Sequence, residues 1–240
     1  MANSHLSQLD LKLDALSCRR GERLLFANLS LAIKGGEMVE IKGPNGVGKS
    51  SLLRILSGLL PAENGTIALS LSTSSASASA SNDDTTSSLS EQAHYLGHRN
   101  SLKSAFSVQD NLAFWRDFSL TPALTPLEAL QRLGLEHLIH LPCGVLSAGQ
   151  QRRAAFARLL VAHRPIWLLD EPTAGLDKAA DALVGGLISD HVKTGGIVMA
   201  ATHLPLVLDV PDSAHHVIEI LDYQPDAYFA PDTNFAGEAL

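Results

Sequence analysis

Cysteine is scarce in this 240-residue chain: Cys18 and Cys143 stand far apart and form no CxxC or other ligand-like spacing. That excludes a disulfide framework and leaves the expectation of two reduced thiols in a cytosolic setting. Basic charge is also short, with 18 Lys+Arg against 25 Asp+Glu and a net charge of −7. A chain so balanced does not coat nucleic acid or an anionic lipid surface, so no nucleic-acid partner is expected. No apolar run approaches the ~20 residues that span a bilayer. The start, MANSHLSQLDLKLD, has no basic stretch followed by an apolar one, and the expectation is a chain without a secretory signal. What is present is a hydrophobic fraction of 45% with 18% charged residues. That excludes a disordered chain, a coiled coil and a collagen-like repeat. The length suits one large domain, or one domain with a grafted subdomain.

Short apolar runs alternate with helical patterns, the mark of a parallel sheet with crossover helices. Strands are expected at Asp10–Leu16, Leu29–Ile33, Met38–Lys42, Gly65–Leu71, Ala93–Gly97, Pro165–Asp170, Ile197–Thr202 and His216–Leu221. Helices are expected at Lys49–Leu59, Val108–Trp115, Pro126–Leu133, Ala148–Ala162, Ala179–His191 and Leu204–Val207. Gly185 and Gly186 weaken the middle of the fifth of these. The span Thr121–Pro142 carries three prolines and reads as a loop and short helices inserted into the sheet protein. From Ser70 to Ser90, 16 of 21 residues are Ser, Thr or Ala. Such a stretch buries too little apolar area to offset its ordering entropy and reads as a surface loop. The C-terminal residues 223–240, rich in Pro, Asp and Ala, read as a surface tail.

The sharpest local signal is Gly43-Pro44-Asn45-Gly46-Val47-Gly48-Lys49-Ser50, which fits G-x-x-x-x-G-K-[ST] between the strand MVEIK and the helical pattern SSLLRILSGLL. The glycines let successive N–H groups turn toward phosphate oxygens, and the helix start adds its positive end. Lys49 is placed for the β- and γ-phosphates, Ser50 as a magnesium ligand, and Ser51 follows in the same turn. Far along the chain, Ile166-Trp167-Leu168-Leu169-Asp170-Glu171-Pro172 is an apolar strand ending in two carboxylates. The carboxyl end of a parallel strand is where ligands sit. Asp170 suits magnesium, directly or through water, and Glu171 suits a base that orients and deprotonates a water. Together these elements make a nucleotide hydrolase with ATP and Mg2+ the expected reading.

Leu146-Ser147-Ala148-Gly149-Gln150 opens a helix shortly before LLDEP. LSAGQ resembles the LSGGQ-type signature of ATP-binding-cassette ATPases, with Ala148 in place of the usual glycine. Ser147 fits an N-cap, and the first-turn N–H groups with Gly149 and Gln150 form a second anion cradle. Ala174-Gly175-Leu176-Asp177 resembles the inter-subunit loop of that family, and Thr202-His203 its switch histidine, which makes His203 a γ-phosphate contact. The resemblance runs from about residue 10 to 221. It implies an α/β, P-loop NTPase fold: an ABC-type core sheet with an inserted α-helical subdomain. It also implies a single nucleotide-binding domain over 1–240, with a RecA-like core at about 8–100 and 160–222 and the helical part at about 101–150.

Two positions depart from the common cassette pattern. Where a glutamine usually follows a strand stands His98, in Tyr95-Leu96-Gly97-His98, and where an aromatic usually stacks on adenine stands Arg20. A guanidinium can stack on a purine face. With these departures RRGERLLF, YLGHRNSLKSAFSVQDNLAFW and LSAGQQRRAAFARLL resemble the haem exporter ATP-binding protein family of the bacterial cytochrome c maturation system. That resemblance implies a homodimer in the ATP-bound state and an integral membrane permease subunit as partner. It further implies a functional link to the haem chaperone, at the cytoplasmic face of the inner membrane. The alternatives are an ATPase of another ABC exporter, a soluble cassette protein acting on DNA or ribosomes, and a nucleotide-binding regulator without turnover. The remaining histidines, including His94, the pair His137 and His140 and the pair His215 and His216, are not expected to ligate haem or metal.

Overall fold

The structure is a computed structural model describing residues 8–72, 89–119 and 121–224. The chain begins with two long strands, β1 (Gln8–Arg20) and β2 (Arg23–Lys34), followed by β3 (Met38–Lys42) and α1 (Lys49–Leu56). After β4 (Asn64–Ser72) come the short α2 (Leu89–Gln92) and β5 (Ala93–Leu96). A helical stretch follows, with α3 (Val108–Phe118), α4 (Pro126–Gln131) and α5 (Ala148–Val161). The chain returns to the sheet through β6 (Ile166–Asp170), α6 (Lys178–Lys193), β7 (Ile197–Ala201) and β8 (His215–Glu219).

Five strands form a parallel sheet in the order β5-β6-β7-β3-β8. The sequences IWLLD of β6 and IVMAA of β7 are buried at every residue, as strands covered on both faces must be. Alternate side chains feed two cores. Met38, Trp167, Leu169, Val198 and Ala200 pack with α3, α4, α5 and α6. Val39, Ile41, Ile166, Leu168, Ile197 and Met199 pack with α1 and with β1 and β2.

The expected alternation of strand and helix overstates the parallel sheet. β1, β2 and β4 form a separate antiparallel sheet, in the order β2-β1-β4, that covers one face of the parallel one. β1 and β2 also run well past the expected bounds, to a tight turn at Gly21, whose φ is 57. Charged residues such as Lys12 and Asp14 alternate with Leu11 and Leu13, so this is a two-faced antiparallel strand rather than a buried run.

The expected helix at Leu204–Val207 does not form. Pro205 disfavours helical backbone at Leu204 and lacks an N–H. The segment instead runs as a strap from which Leu206, Leu208 and Val210 pack on the core while Val207 is exposed, an extended-chain alternation. One of the two glycines inside α6 has a use here. A β-carbon at Gly185 would lie 2.0 Å from the Val207 carbonyl oxygen, so only glycine lets the strap approach. Ser189 adds a stitch, its Oγ donating to the Gly185 carbonyl and accepting from Asp209 N at 2.9 Å. Of the Ser-rich stretch, Ser70–Ser72 belong to β4 and Leu89–Ser90 to α2; the rest, with the tail beyond Gln224, lies outside the described residues.

Candidate nucleotide site

The segment between β3 and α1 turns on three glycines with positive φ, Gly43 (138), Gly46 (78) and Gly48 (125). At Gly48 a β-carbon would also come within 3.1 Å of the Phe26 ring, so conformation and space both require glycine. No side chain caps α1, and the N–H groups of its first turn have no intrahelical acceptor, which is the arrangement of an anion site. Lys49 is buried, its Nζ donating to the carbonyls of Gly43 at 2.6 Å and Pro44 at 3.0 Å. Those two bonds hold the ammonium inside the curl of the loop.

At the carboxyl end of β6, Asp170 Oδ1 accepts a hydrogen bond from Ser50 Oγ at 2.9 Å. These residues are 120 positions apart. Next to them Glu171 Oε1 lies 2.9 Å from His203 Nδ1. The Glu171 side chain is 17% exposed, and its Oε2 is buried without a hydrogen-bond partner. Glu171 also holds a left-handed backbone, φ 50.

A cleft of about 220 Å³ brings the pieces together, lined by Asn45, Gly46, Gly48, Lys49, Ser50, Ser51, His98, Asp170 and Glu171. His203 reaches this cleft through Glu171. Two expected groups stand outside its lining. Arg20 lies at the tip of β1, paired across the turn with Arg23. Ser147, Gly149 and Gln150 open α5, where Ser147 Oγ accepts from Gln150 N and Gln150 Oε1 accepts from Ser147 N at 2.9 Å, a reciprocal cap. A β-carbon at Gly149 would lie 3.6 Å from the Gly175 carbonyl oxygen, so the LSAGQ turn abuts the loop that follows the acidic pair.

One residue escaped the sequence reading. Arg152 is buried on α5 and spreads its guanidinium over five acceptors around the acidic pair. Burial pulls its pKa down, while the charges of Asp170 and Glu171 push it up. Its one sequence signal was position: a charged residue two places before the apolar run AAFA.

The donor set fits magnesium. Ser50 Oγ and Asp170 Oδ1 are hard oxygens in contact beside the phosphate loop, as Mg2+ requires when it shares its shell with phosphates and water.

A family model described as ABC transporter matches residues 26–174. A dimeric ATP-binding cassette, solved in a post-hydrolysis state bound to ADP and Pi, superposes with a TM-score of 0.67 at 27% identity. That match covers 81% of this chain and 88% of the other. An ABC transporter ATP-binding protein from Pyrococcus furiosus shares the fold, with a TM-score of 0.72 at 21% identity over 90% of this chain and 100% of the other. The chain is a member of the ABC transporter family of ATP-binding proteins. Curated relatives are nearer still and are named cytochrome c biogenesis ATP-binding export protein CcmA; two of them serve as examples. The protein from Chelativorans sp. (strain BNC1) is 48% identical over 81% of this chain and 91% of its own length. That from Rhizobium meliloti (strain 1021) is 49% identical over 80% and 90%. Within the class, this chain belongs to that cytochrome c biogenesis ATP-binding export family.

Proposed function

We propose that this chain is the ATP-hydrolysing subunit of a membrane ABC complex in c-type cytochrome biogenesis, acting in haem export or in release of a haem-loaded chaperone. The observation that carries the hydrolytic reading is one cleft lined by the phosphate loop, the Ser50–Asp170 pair and Glu171, whose carboxylate His203 holds.

ATP would lay its phosphates on the N–H groups of the loop and of the first turn of α1, with Lys49 against the β- and γ-phosphates. Ser50 and Asp170 would hold Mg2+, which when bound neutralises the charge of the phosphate oxygens. Glu171, held through Oε1 by His203, is suited to take the proton of the attacking water. His203 holds the carboxylate and would sense the γ-phosphate beside it. Arg20 would lie against the base.

The Ser147–Gln150 turn stands outside the cleft of its own chain, which supports its use against the ATP of a second copy in a head-to-tail dimer. Among the described residues no helix is long and apolar enough to cross a membrane, and the reading supplies an integral membrane permease as partner at the cytoplasmic face of the inner membrane. Phe106, Phe114 and Phe118 lie exposed on the helical side, the first two beside Lys103, and offer such a partner an apolar surface.

Lys49→Ala tests the reading. Purified with its membrane partner, the variant should lose ATP hydrolysis and most nucleotide affinity, measured by phosphate release and by titration with a fluorescent ATP analogue. Near wild-type turnover would sink the assignment of the loop.

A further inference from the structure

Arg152 forms more long-range hydrogen bonds than any other described side chain. Its Nε donates to the Pro172 carbonyl at 3.1 Å, and its Nη2 donates to the carbonyls of Asp170 at 2.8 Å and Glu171 at 2.7 Å. Its Nη1 donates to the Gly97 carbonyl at 2.8 Å and to Asn100 Oδ1 at 3.1 Å. One guanidinium thus ties three places together: α5 just past the LSAGQ turn, the backbone under the acidic pair, and the residues flanking His98.

The Glu171 backbone needs such a tie. A residue with a β-carbon held at φ 50 is strained, and such strain persists only where surrounding contacts fix it. The peptide is held on its N–H side by the Ala201 carbonyl at 2.8 Å and on its carbonyl side by Arg152. A planar fork with donors on three nitrogens serves the carbonyls of residues 170–172 and the Gly97 and Asn100 acceptors at once; a lysine ammonium offers a single point. Arg153, the next residue, marks the contrast. It donates through Nη1 to the Leu133 carbonyl at 3.0 Å, within the helical layer, and no hydrogen bond joins it to the acidic pair.

We infer that Arg152 is a positioning residue for ATP hydrolysis: it holds Glu171 in its strained working geometry and links the helix that begins at the LSAGQ turn to that carboxylate and to the His98 loop. The inference rests on the hydrolytic reading above. It adds that α5 cannot shift without the backbone of the base shifting with it.

The test uses the full chain and compares Arg152→Gln, Arg152→Lys and Arg153→Gln with wild type, normalised to folded protein by thermal melts. Both Arg152 variants should lose tenfold or more in kcat with KM for ATP held within about twofold, because the phosphate loop is untouched. Arg153→Gln should keep kcat whatever its melting temperature. Lysine keeps the charge, so its failure to rescue would assign the effect to the fork. Should Arg152→Gln not fold, Arg152→Lys carries the test alone. Wild-type kcat in either folded Arg152 variant, or an equal loss of kcat in Arg153→Gln, would overturn the inference. A wild-type chain that hydrolyses no ATP would instead overturn the hydrolytic reading, which is a distinct result.

Discussion

Glu171 combines a left-handed backbone, a hydrogen-bonded Oε1 and a buried, unpartnered Oε2. The backbone alone costs a residue with a β-carbon roughly 1–2 kcal/mol, so the position is held for what the carboxylate does. Glutamine keeps the shape and the contact to His203 but cannot accept a proton from water. Glu171→Gln should therefore bind ATP and turn over ~10²–10⁴-fold more slowly, the usual loss of a general base. With ATP and magnesium the variant should elute as a dimer in size-exclusion chromatography. A persistent monomer with full hydrolysis would refute the role.

At the scale of elements, β5 is tied to the end of α5 by His94, whose Nε2 donates to the Ala162 carbonyl at 2.8 Å. Burial, with Arg164, Arg158 and His191 as neighbouring cations or potential cations, pulls the pKa of His94 down to about 3. His191, stacked on Trp167 at 4.0 Å between ring centres, is pulled down to about 4, again chiefly by burial. Both stay neutral in the fold at pH 6, whereas an unfolded chain protonates them below its ordinary histidine value of 6.5. Stability from these two groups is thus complete above 6.5 and is lost as pH falls from there toward 3–4. Each contributes a slope of up to about 1.4 kcal/mol per pH unit in that window. The melting temperature should fall between pH 7 and pH 5, and His94→Gln should make that fall shallower by one proton's share. An identical slope in the variant would show that His94 is not one of the groups responsible.

At the scale of the whole molecule, the proposed function requires communication between the nucleotide cleft and the helical side. His98 lines that cleft, in the loop that leads from β5 toward α3. The described stretch 101–118 then carries the exposed Phe106, Phe114 and Phe118, with Phe114 and Phe118 stacked at 6.0 Å. An imidazole, like an amide, has a donor and an acceptor, so it can hold a water or a ligand at the cleft. His98→Ala should leave ATP binding largely intact while lowering partner-stimulated hydrolysis and cytochrome c maturation in cells, and His98→Gln should restore much of both. Unchanged activity per folded molecule in His98→Ala would end the coupling idea.

What the sequence determined by itself is local chemistry. The glycines of the phosphate loop, the apolar strand that ends in Asp170-Glu171 and the Ser147 cap are each set by constraints spanning a few residues, and all are legible as patterns. The cleft needed more, because Ser50 meets Asp170 across 120 positions and His203 meets Glu171 across 32. Tertiary structure alone decided the antiparallel sheet, since strand pairing depends on which faces find cover rather than on strand propensity. It also decided the strap over α6, where Pro205 and an alternation of apolar residues overrode a helical reading. Above all it decided Arg152, whose acceptors lie 18 to 55 positions away. A long side chain's partners are chosen by what packing brings within reach of its tip, and no pattern of neighbours along the chain records that.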